Sequence, residues 1–538
     1  MALLGRTLKK ENERLLQQFI EALSNETAGF SSADPHQGER YNQARSSKHE
    51  FARLYTPHYT TLKSARFHSL LHAIMEFGKR HVFIIPGPRG HGKSIQARIG
   101  KLQMILFGLK HYIMKGSETL KLAQKDISYI EAELRYNPRI REDFKIDFIV
   151  CNETELRLRI TSLASGQTHF VMVEAISYGT PIIGSVFMQW RVDYMELDDF
   201  EDSESARSEK IAKKKEEWVM SQAFLALDEV SGILVWFGNN HAKTGAMNRA
   251  IIKRAQSVYI HESAYVGKSD CTREIQGIKG RITAHIFPAW LKIKSKRFAL
   301  WPEKMNIHQL DELREDIGSA IFEAQMQQNP IEVGEYFNPD DVRQHYDQLP
   351  KATTLTFAGW IDQSLGEKKT SDFKSGWIVA TDGRNYYIID GFLRQMSIRK
   401  MVQMAYGLYE KQKPLGFLFW WIENNFQQYT LVSKRDFDDA APERGYPLPI
   451  RADLNTLNKG LRIEALQPLF ENHRILFPKK LSPDMERLID HILGWPDFDF
   501  DDGPDGLSSA IEKARSNHRK KSQPGYKSLS KRRLQRRR

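Results

Sequence analysis

Hydrophobic and polar positions divide this chain into two α/β blocks separated by a proline-rich break. From Phe51 to Asn329, short apolar runs such as His81-Val-Phe-Ile-Ile-Pro86 and Ile233-Leu-Val-Trp-Phe237 alternate with stretches carrying apolar residues every three or four positions. The runs read as strands buried on both faces and the stretches as covering helices, which together predict a parallel sheet. The helix after Pro86 would place Ile95, Ile99, Leu102 and Leu106 on one side. A break follows from Asn329-Pro330 to Pro350, containing Gly334 and Asn338-Pro339. Beyond it, Leu355–Ile361, Gly376–Thr381 and Tyr386–Asp390 predict three strands. A helix from about Ser397, with Ile398, Met401, Ala405 and Leu408 on its apolar face, leads to a further strand, Gly416–Ile422.

The first fifty residues are polar. One amphipathic stretch near Leu15–Leu23 predicts a helix, and the Ser-, Asp-, Pro- and Gln-rich text after it predicts a loose connection. The expected organisation is a helical or loose segment over 1–50, an α/β unit over 51–335, a linker over 336–352, a second α/β unit over 353–514 and a basic tail over 515–538.

Composition removes several classes of protein. The chain has 538 residues, 41% hydrophobic and 27% charged, which is ordinary globular usage and argues against global disorder. No apolar run spans a bilayer, and Met1–Glu21 lacks the apolar core of a secretory signal, so no membrane partner is expected. Cys151 and Cys271 are too few for a disulfide framework and too far apart in sequence for a zinc pair. The formal net charge of +12 is more informative in its location than in its size. Twelve Lys and Arg and no acid lie between Lys513 and Arg538, while the other 67 Lys and Arg are matched by all 67 Asp and Glu. The tail therefore suits a polyanion such as nucleic acid, the alternative being a solvated extension that aids solubility.

Two constellations carry chemistry. The predicted strand ending at Pro86 runs into Gly87-Pro-Arg-Gly-His-Gly-Lys-Ser94 and then a helix. This fits the phosphate-binding loop: Gly87, Gly90 and Gly92 let backbone N–H groups wrap phosphate oxygens, Lys93 reaches the terminal phosphates, and Ser94 offers a hydroxyl to Mg²⁺. Arg89 would reach the transferred phosphate or sit as a surface arginine. An acid at the end of a neighbouring strand is needed for the metal, and Asp198 in Val192-Asp-Tyr-Met-Glu-Leu-Asp-Asp199 supplies it. Asp199, or alternatively Glu201, would position the attacking water. Asn239, at the tip of the strand Ile233–Phe237, would sense the γ-phosphate or form an ordinary Gly-Asn turn. For adenine only the aromatic-rich stretch Tyr55–Tyr59 stands out.

In the second block, one strand delivers Asp362 and another delivers Glu423. Three strands in a meander, a helix, then a strand is the opening of a ribonuclease H-like fold, in which the first and fourth strands are neighbours. Asp501-Asp502-Gly-Pro-Asp505 opens a helix predicted over Gly506–Ala514. Grouped carboxylates are costly unless cations neutralise them, so Asp362, Glu423, Asp502 and Asp505 are candidate ligands for two Mg²⁺ or Mn²⁺ ions in phosphodiester hydrolysis. Taken singly, an Asp after a strand is more often a turn former or helix cap, and Asp501 could simply be solvated.

The order of these features resembles the large terminase subunit of tailed bacteriophages. Pro-Arg-Gly-His-Gly-Lys-Ser resembles that family's phosphate loop, and Leu300-Trp-Pro-Glu through Asp311-Glu-Leu-Arg to Ala324-Gln-Met-Gln-Gln-Asn-Pro330 is similar to its end-of-ATPase segment. Asn458-Lys-Gly-Leu-Arg462, Leu466-Gln-Pro-Leu-Phe470, Arg474-Ile-Leu-Phe-Pro478 and Asp501-Asp-Gly-Pro-Asp-Gly-Leu507 follow the family's order. The resemblance covers about residues 50–515. It implies ATP and Mg²⁺ at Lys93, Ser94 and Asp198, and nuclease metals at Asp362 and Glu423 with Asp502 or Asp505. Asp372 also falls where the family tends to have Asp. Many members follow the Walker B acid with Glu where this chain has Asp199.

The implied function is a packaging motor that moves duplex DNA into a procapsid and cuts concatemers. The implied partners are a small terminase subunit, the portal and capsid, and further copies of this chain in a ring, in the cytoplasm of a bacterial host. A helicase- or repair-type ATPase-nuclease is the alternative.

Overall fold

A computed structural model describes residues 17–21, 23, 27–267, 270–330, 336–362, 373–423, 434–453, 459–496 and 500–522, without the side chains of Glu204, Glu423, 434–436 and 520–522. The first 16 residues, Asp372 and residues 523–538 of the tail lie outside this set. The chain divides into two compact units, Met1–Glu312 with Phe322–Pro330, and Leu313–Ile321 with Ile331–Arg538.

In the first unit, nine strands form one sheet: β1 His81–Pro86, β2 Tyr112–Ser117, β3 Phe144–Cys151, β4 Glu155–Ser162, β5 Thr168–Ser177, β6 Tyr194–Asp198, β7 Ile233–Gly238, β8 Ser257–Tyr259 and β9 Ile282–His285. Their order is β8-β9-β1-β7-β6-β2-β5-β4-β3. The run from β8 to β5 is parallel, and β4 and β3 add an antiparallel extension. Every residue of β1, β2, β6 and β7 is buried; the apolar runs predict this for β1 and β7, whereas β2 and β6 bury Lys115, Glu196 and Asp198 as well. One apolar cluster, with Ile85, Ile99, Leu102 and Val235, fills one face; another, with Val82, Leu197 and Trp236, fills the other. In β4 burial alternates along the strand.

The N-terminal segment departs from expectation. Helix α1 (Gln37–Ser46) and the first turn of α2 (Lys48–Tyr55) occupy text that reads as a loose connection. The cause is tertiary: buried Arg40 pairs with Asp143 at 2.6 Å through Nε, and Tyr55 donates to the same carboxylate at 2.7 Å. Tyr55, a weak candidate for adenine contact, is thus a buried structural residue.

Beside β1, a hydrogen-bonded chain crosses the sheet from His81 through Thr283 and His285 to His261, at 2.8, 2.9 and 2.7 Å, and ends on Glu274. Burial lowers His81 from 6.5 to about 4 and takes His285 well below its ordinary value. The unfolded chain therefore takes up protons from about pH 6.5 downward while these folded imidazoles do not. Stability is full above pH 6.5 and falls as the pH drops towards 4, by about 1–3 kcal/mol per histidine. Thermal melts between pH 7.5 and 5 should show Tm falling on acidification, and the His81→Gln chain should show a shallower fall.

The second unit is built on a seven-stranded sheet: β10 His345–Tyr346, β11 Thr356–Asp362, β12 Lys374–Thr381, β13 Tyr386–Arg394, β14 Trp420–Glu423, β15 Ile450–Asp453 and β16 Ile475–Pro478. The order is β10-β16-β13-β12-β11-β14-β15. β11, β12 and β13 are antiparallel neighbours, and β14 and β15 run parallel to β11. This meander followed by two parallel strands beyond its first member is the ribonuclease H-like arrangement. Residues 336–352, expected as a linker, instead supply β10, which pairs with β16, and bury Phe337 and Val342 in the unit's core. The predicted fourth strand is shorter than expected, because Gly416 takes a left-handed φ of 104° after a 3₁₀ turn at Lys413–Leu415.

Helix α3 (Ile398–Gln412) is capped by Ser397, whose hydroxyl accepts from Lys400 N. Helix α4 (Asp502–Ser522) begins earlier and ends later than the sequence suggests, running into the basic tail. Asp502 and Asp505 therefore sit in a helical first turn rather than in a loop, with Pro504 tolerated there for want of an N–H. Gly391 of β13 faces Trp377 across the sheet, and a Cβ there would lie 2.1 Å from the Trp377 ring. Gly391→Ala should destabilise this unit by about 1–3 kcal/mol in a urea melt. No helix among the described residues is long and apolar enough to cross a membrane.

Candidate functional site

The loop after β1 curls around a hollow because glycine permits it: Gly90 and Gly92 adopt φ of 71° and 81°. Gly92 also caps the helix Lys93–Phe107, whose first N–H groups point at that hollow. A cavity of about 470 Å³ opens here, lined by Arg89, Gly90, His91, Gly92, Lys93, Ser94, Asp198, Asp199 and Asn239 from the sequence-predicted set and its surroundings. These residues, drawn from three strand tips, meet at one end of the sheet. On that helix Ile99, Leu102 and Leu106 are buried as expected, but Ile95 is 39% exposed and lines the cavity.

The polar groups are held in place by short contacts. Lys93 Nζ donates to the carbonyl oxygens of Gly87 at 2.6 Å and Pro88 at 2.9 Å. Desolvation in the loop lowers its ammonium to about 8, against the opposing charges of Asp198 and Asp199. Ser94 Oγ donates to Asp198 Oδ2 at 2.7 Å. Burial pushes the Asp198 carboxyl up, but Lys115, Ser94 and Lys93 outweigh it and hold the group below its ordinary value. Asp199, at the exposed turn after β6, has a left-handed φ of 46° and lines the same cavity. Glu201 does not: its carboxylate accepts from Ala246 N at 2.6 Å and Met247 N at 3.4 Å, capping the helix Ala246–Lys253. Asn239 Nδ2 donates to Gly87 O and to Gln325 O, at 3.1 and 2.8 Å, tying the tip of β7 to the loop.

Three supports escaped sequence reasoning. His68 Nδ1 accepts from Ala65 N, which leaves Nε2 as the donor to His91 O at 3.0 Å beneath the loop. Trp301 stands edge-on to His68 and donates to Lys63 O. Gln325 O receives Arg89 N as well as Asn239, so the segment Ala324–Pro330 braces the loop from outside. Tyr59, unlike Tyr55, lines the cavity together with Thr61, Leu62 and Ser64. The hydroxyl of Ser94 and the carboxylate of Asp198 are hard oxygen donors suited to Mg²⁺.

In the second unit the parallel pairing of β11 with β14 runs through Ile361↔Ile422, which places Asp362 and Glu423 at adjacent strand ends. Glu423 in turn pairs with Asp453 of β15, an acid that sequence reasoning did not single out. Asp453 meets Lys513 Nζ from α4. The side chain of Glu423 lies outside the described set. On the other side of β11, Asp362 pairs with Ser375, whose hydroxyl donates to the backbone oxygen of Asp502 at 3.0 Å.

Asp502 accepts from Phe373 N at 2.8 Å and pairs with Lys459 at 2.9 Å, while Asp505 pairs with Arg462 at 2.8 Å. Lys459 and Arg462 lie on one short helix, Lys459–Glu464, in the segment already noted for its order of residues. Among the described residues no three His, Cys, Asp or Glu gather as a metal site. Strand pairing brings the backbones of Asp362, Glu423 and Asp453 to neighbouring strand ends, while Asp453, Asp502 and Asp505 each carry a basic partner.

Fold and sites define the class of protein: a P-loop nucleotide-binding unit joined to a ribonuclease H-like unit. No protein-family model and no curated protein matches the sequence. Among solved structures the chain is similar to the large terminase from a thermophilic bacteriophage, at 10% identity and a TM-score of 0.40, over 80% of this chain and 90% of that one. It is also similar to the ATPase domain of the Thermus phage P74-26 large terminase, at 12% identity and a TM-score of 0.32, over 49% and 93%. A third similarity is to the human cytomegalovirus terminase nuclease domain, Mn-soaked and inhibitor-bound, at 12% identity and a TM-score of 0.28, over 34% and 97%.

Proposed function

We propose that this chain is the ATP-hydrolysing and DNA-cutting subunit of a viral genome-packaging machine. The observation that carries the catalytic half is the convergence of Lys93, Ser94 and Asp198 on one glycine-wrapped cavity, in a chain whose second unit sets Asp362 and Glu423 on adjacent strand ends. In the first site Lys93 would leave the Gly87 and Pro88 carbonyls for the terminal phosphates of ATP, and Ser94 and Asp198 would hold Mg²⁺. Bound Mg²⁺ supplies charge neutralisation at the phosphates. Asp199 would orient the attacking water, with its short side chain aimed from a left-handed turn, and Arg89 would meet the transferred phosphoryl group. Asn239, bonded to the loop it would sense, would carry the loss of γ-phosphate towards Gln325.

In the second site Asp362, Glu423 and either Asp502 or Asp505 would hold two Mg²⁺ or Mn²⁺ ions. Such ions activate water and stabilise the leaving oxygen of a phosphodiester. Asp502 and Asp505 would first have to exchange Lys459 and Arg462 for metal. The order of residue strings around both sites favours packaging over a helicase or repair role. Duplex DNA, a small terminase subunit, the portal of a procapsid and further copies of this chain in a ring are the partners this function requires, in the host cytoplasm. The test is nuclease protection: DNA should become resistant to added nuclease only when procapsid, ATP and this protein are all present. Hydrolysis and cleavage without procapsid-dependent protection would assign the chain to the helicase or repair class.

A further inference from the structure

Behind the Ser94–Asp198 contact lies a buried file of alternating charges that the proposed ATPase chemistry does not use. Arg98 Nη2 meets Asp126 Oδ1 at 2.9 Å, and Asp126 Oδ2 meets Lys101 Nζ at 2.7 Å. Lys101 also meets Glu196, whose other oxygen meets Lys115 Nζ at 2.6 Å. Lys115 Nζ then reaches Asp198 Oδ2 at 3.4 Å, the oxygen that accepts from Ser94. The geometry follows from the fold. Glu196 and Asp198 are two residues apart on β6 and so share a face, and Lys115 is the register partner of Glu196 on β2. Lys101 reaches the same face from the helix Lys93–Phe107. Lys101, Glu196 and Lys115 are 0%, 1% and 3% exposed.

Three cations and three carboxylates make the file neutral by itself. This matters because buried carboxylates that lack cations recruit them. Lys93 adds positive charge near Asp198 but makes its hydrogen bonds to the carbonyls of Gly87 and Pro88, and it ranks behind Lys115 among the charges that favour the Asp198 carboxylate. Asp199 lies outside the file on an exposed turn and adds negative charge at the cavity side.

We infer that Lys115 is a placeholder cation for Asp198: it holds the carboxylate against Ser94 and balances its negative charge until divalent metal arrives with nucleotide, and so keeps the nucleotide-free site from binding metal. Lys115 is a positioning residue, acting through Asp198 and touching neither phosphate nor metal. This rests on the nucleotide-binding function proposed for the loop.

The experiment is Mn²⁺ binding to the full-length protein followed by electron paramagnetic resonance, without nucleotide. Lys115→Met should bind one more Mn²⁺ than wild type, or bind it about tenfold or more tighter, because a buried negative charge is left uncompensated. The extra ion should vanish in Lys115→Met combined with Asp198→Asn, which separates it from ions at the second unit. Lys115→Arg, which keeps the charge, should behave as wild type. Lys115→Gln serves if the Met variant does not fold. Unchanged Mn²⁺ binding in a folded Lys115→Met or Lys115→Gln chain, or an extra ion that survives Asp198→Asn, overturns the inference. Failure of the wild type to bind Mn²⁺ together with ATP instead overturns the nucleotide-binding function itself, whatever Lys115 does.

Discussion

Lys93→Ala should lower ATP hydrolysis by roughly 10²–10³-fold or more while leaving metal-dependent DNA cleavage at its wild-type rate. Lys93 is the ammonium that the phosphate loop itself contributes to the cavity, and its present partners are two carbonyl oxygens that it can exchange for phosphate. Its methylenes also pack against Gly87, so a fold check by circular dichroism belongs with the assay. Steady-state phosphate release and plasmid nicking on one preparation give the comparison. Equal loss of both activities in folded protein would mean that the two units do not hold separate centres.

The reciprocal change is Asp362→Ala. Loss of a carboxylate that holds metal at a phosphodiester removes several kcal/mol of charge stabilisation, on the order of a 10³-fold fall in cleavage, with ATP hydrolysis retained. Asp362 ends β11, between Ser375 on one neighbouring strand and the β14 end that carries Glu423. Its side chain is placed by strand pairing rather than by a loop, so substitution should leave the sheet intact. Cleavage in Mg²⁺ and in Mn²⁺ should fall together. Retained cleavage by folded Asp362→Ala would move the nuclease reaction, if present, away from these strand ends.

Much of this was legible in the sequence because it is local. The strand–loop–helix around Gly87–Ser94 needs only neighbouring residues to specify it, and β1 and the following helix start where the apolar run and the loop glycines put them. The meander β11–β13 was visible because hairpin-linked strands announce themselves by spacing. What stayed hidden depends on strand order. Glu196 was not singled out, because its partner Lys115 comes beside it only through the pairing of β2 with β6. Asp453 was missed for the same reason, since β15 joins β14 across a long connection.

Glu201 illustrates a different limit. Nothing local distinguishes an acid near the end of a strand that faces a cavity from one that caps the helix beginning at Ala246. The helix Gln37–Ser46 was hidden by polar text, and the burial of Arg40 and Tyr55 on Asp143 anchors it and its neighbour Lys48–Tyr55. The basic charges on Asp502 and Asp505 were likewise invisible, because Lys459 and Arg462 lie some forty residues away along the chain.

The proposed function requires one polypeptide to carry two separate divalent-metal centres for phosphate chemistry. Anomalous X-ray scattering from crystals soaked in Mn²⁺ with a non-hydrolysable ATP analogue tests it most directly. One Mn²⁺ should lie between Ser94, Asp198 and the nucleotide, and Mn²⁺ should lie between Asp362 and Glu423 joined by Asp502 or Asp505, with Lys459 or Arg462 withdrawn from that acid. Metal at the loop alone, with Lys459 still on Asp502 and Arg462 still on Asp505, would contradict it.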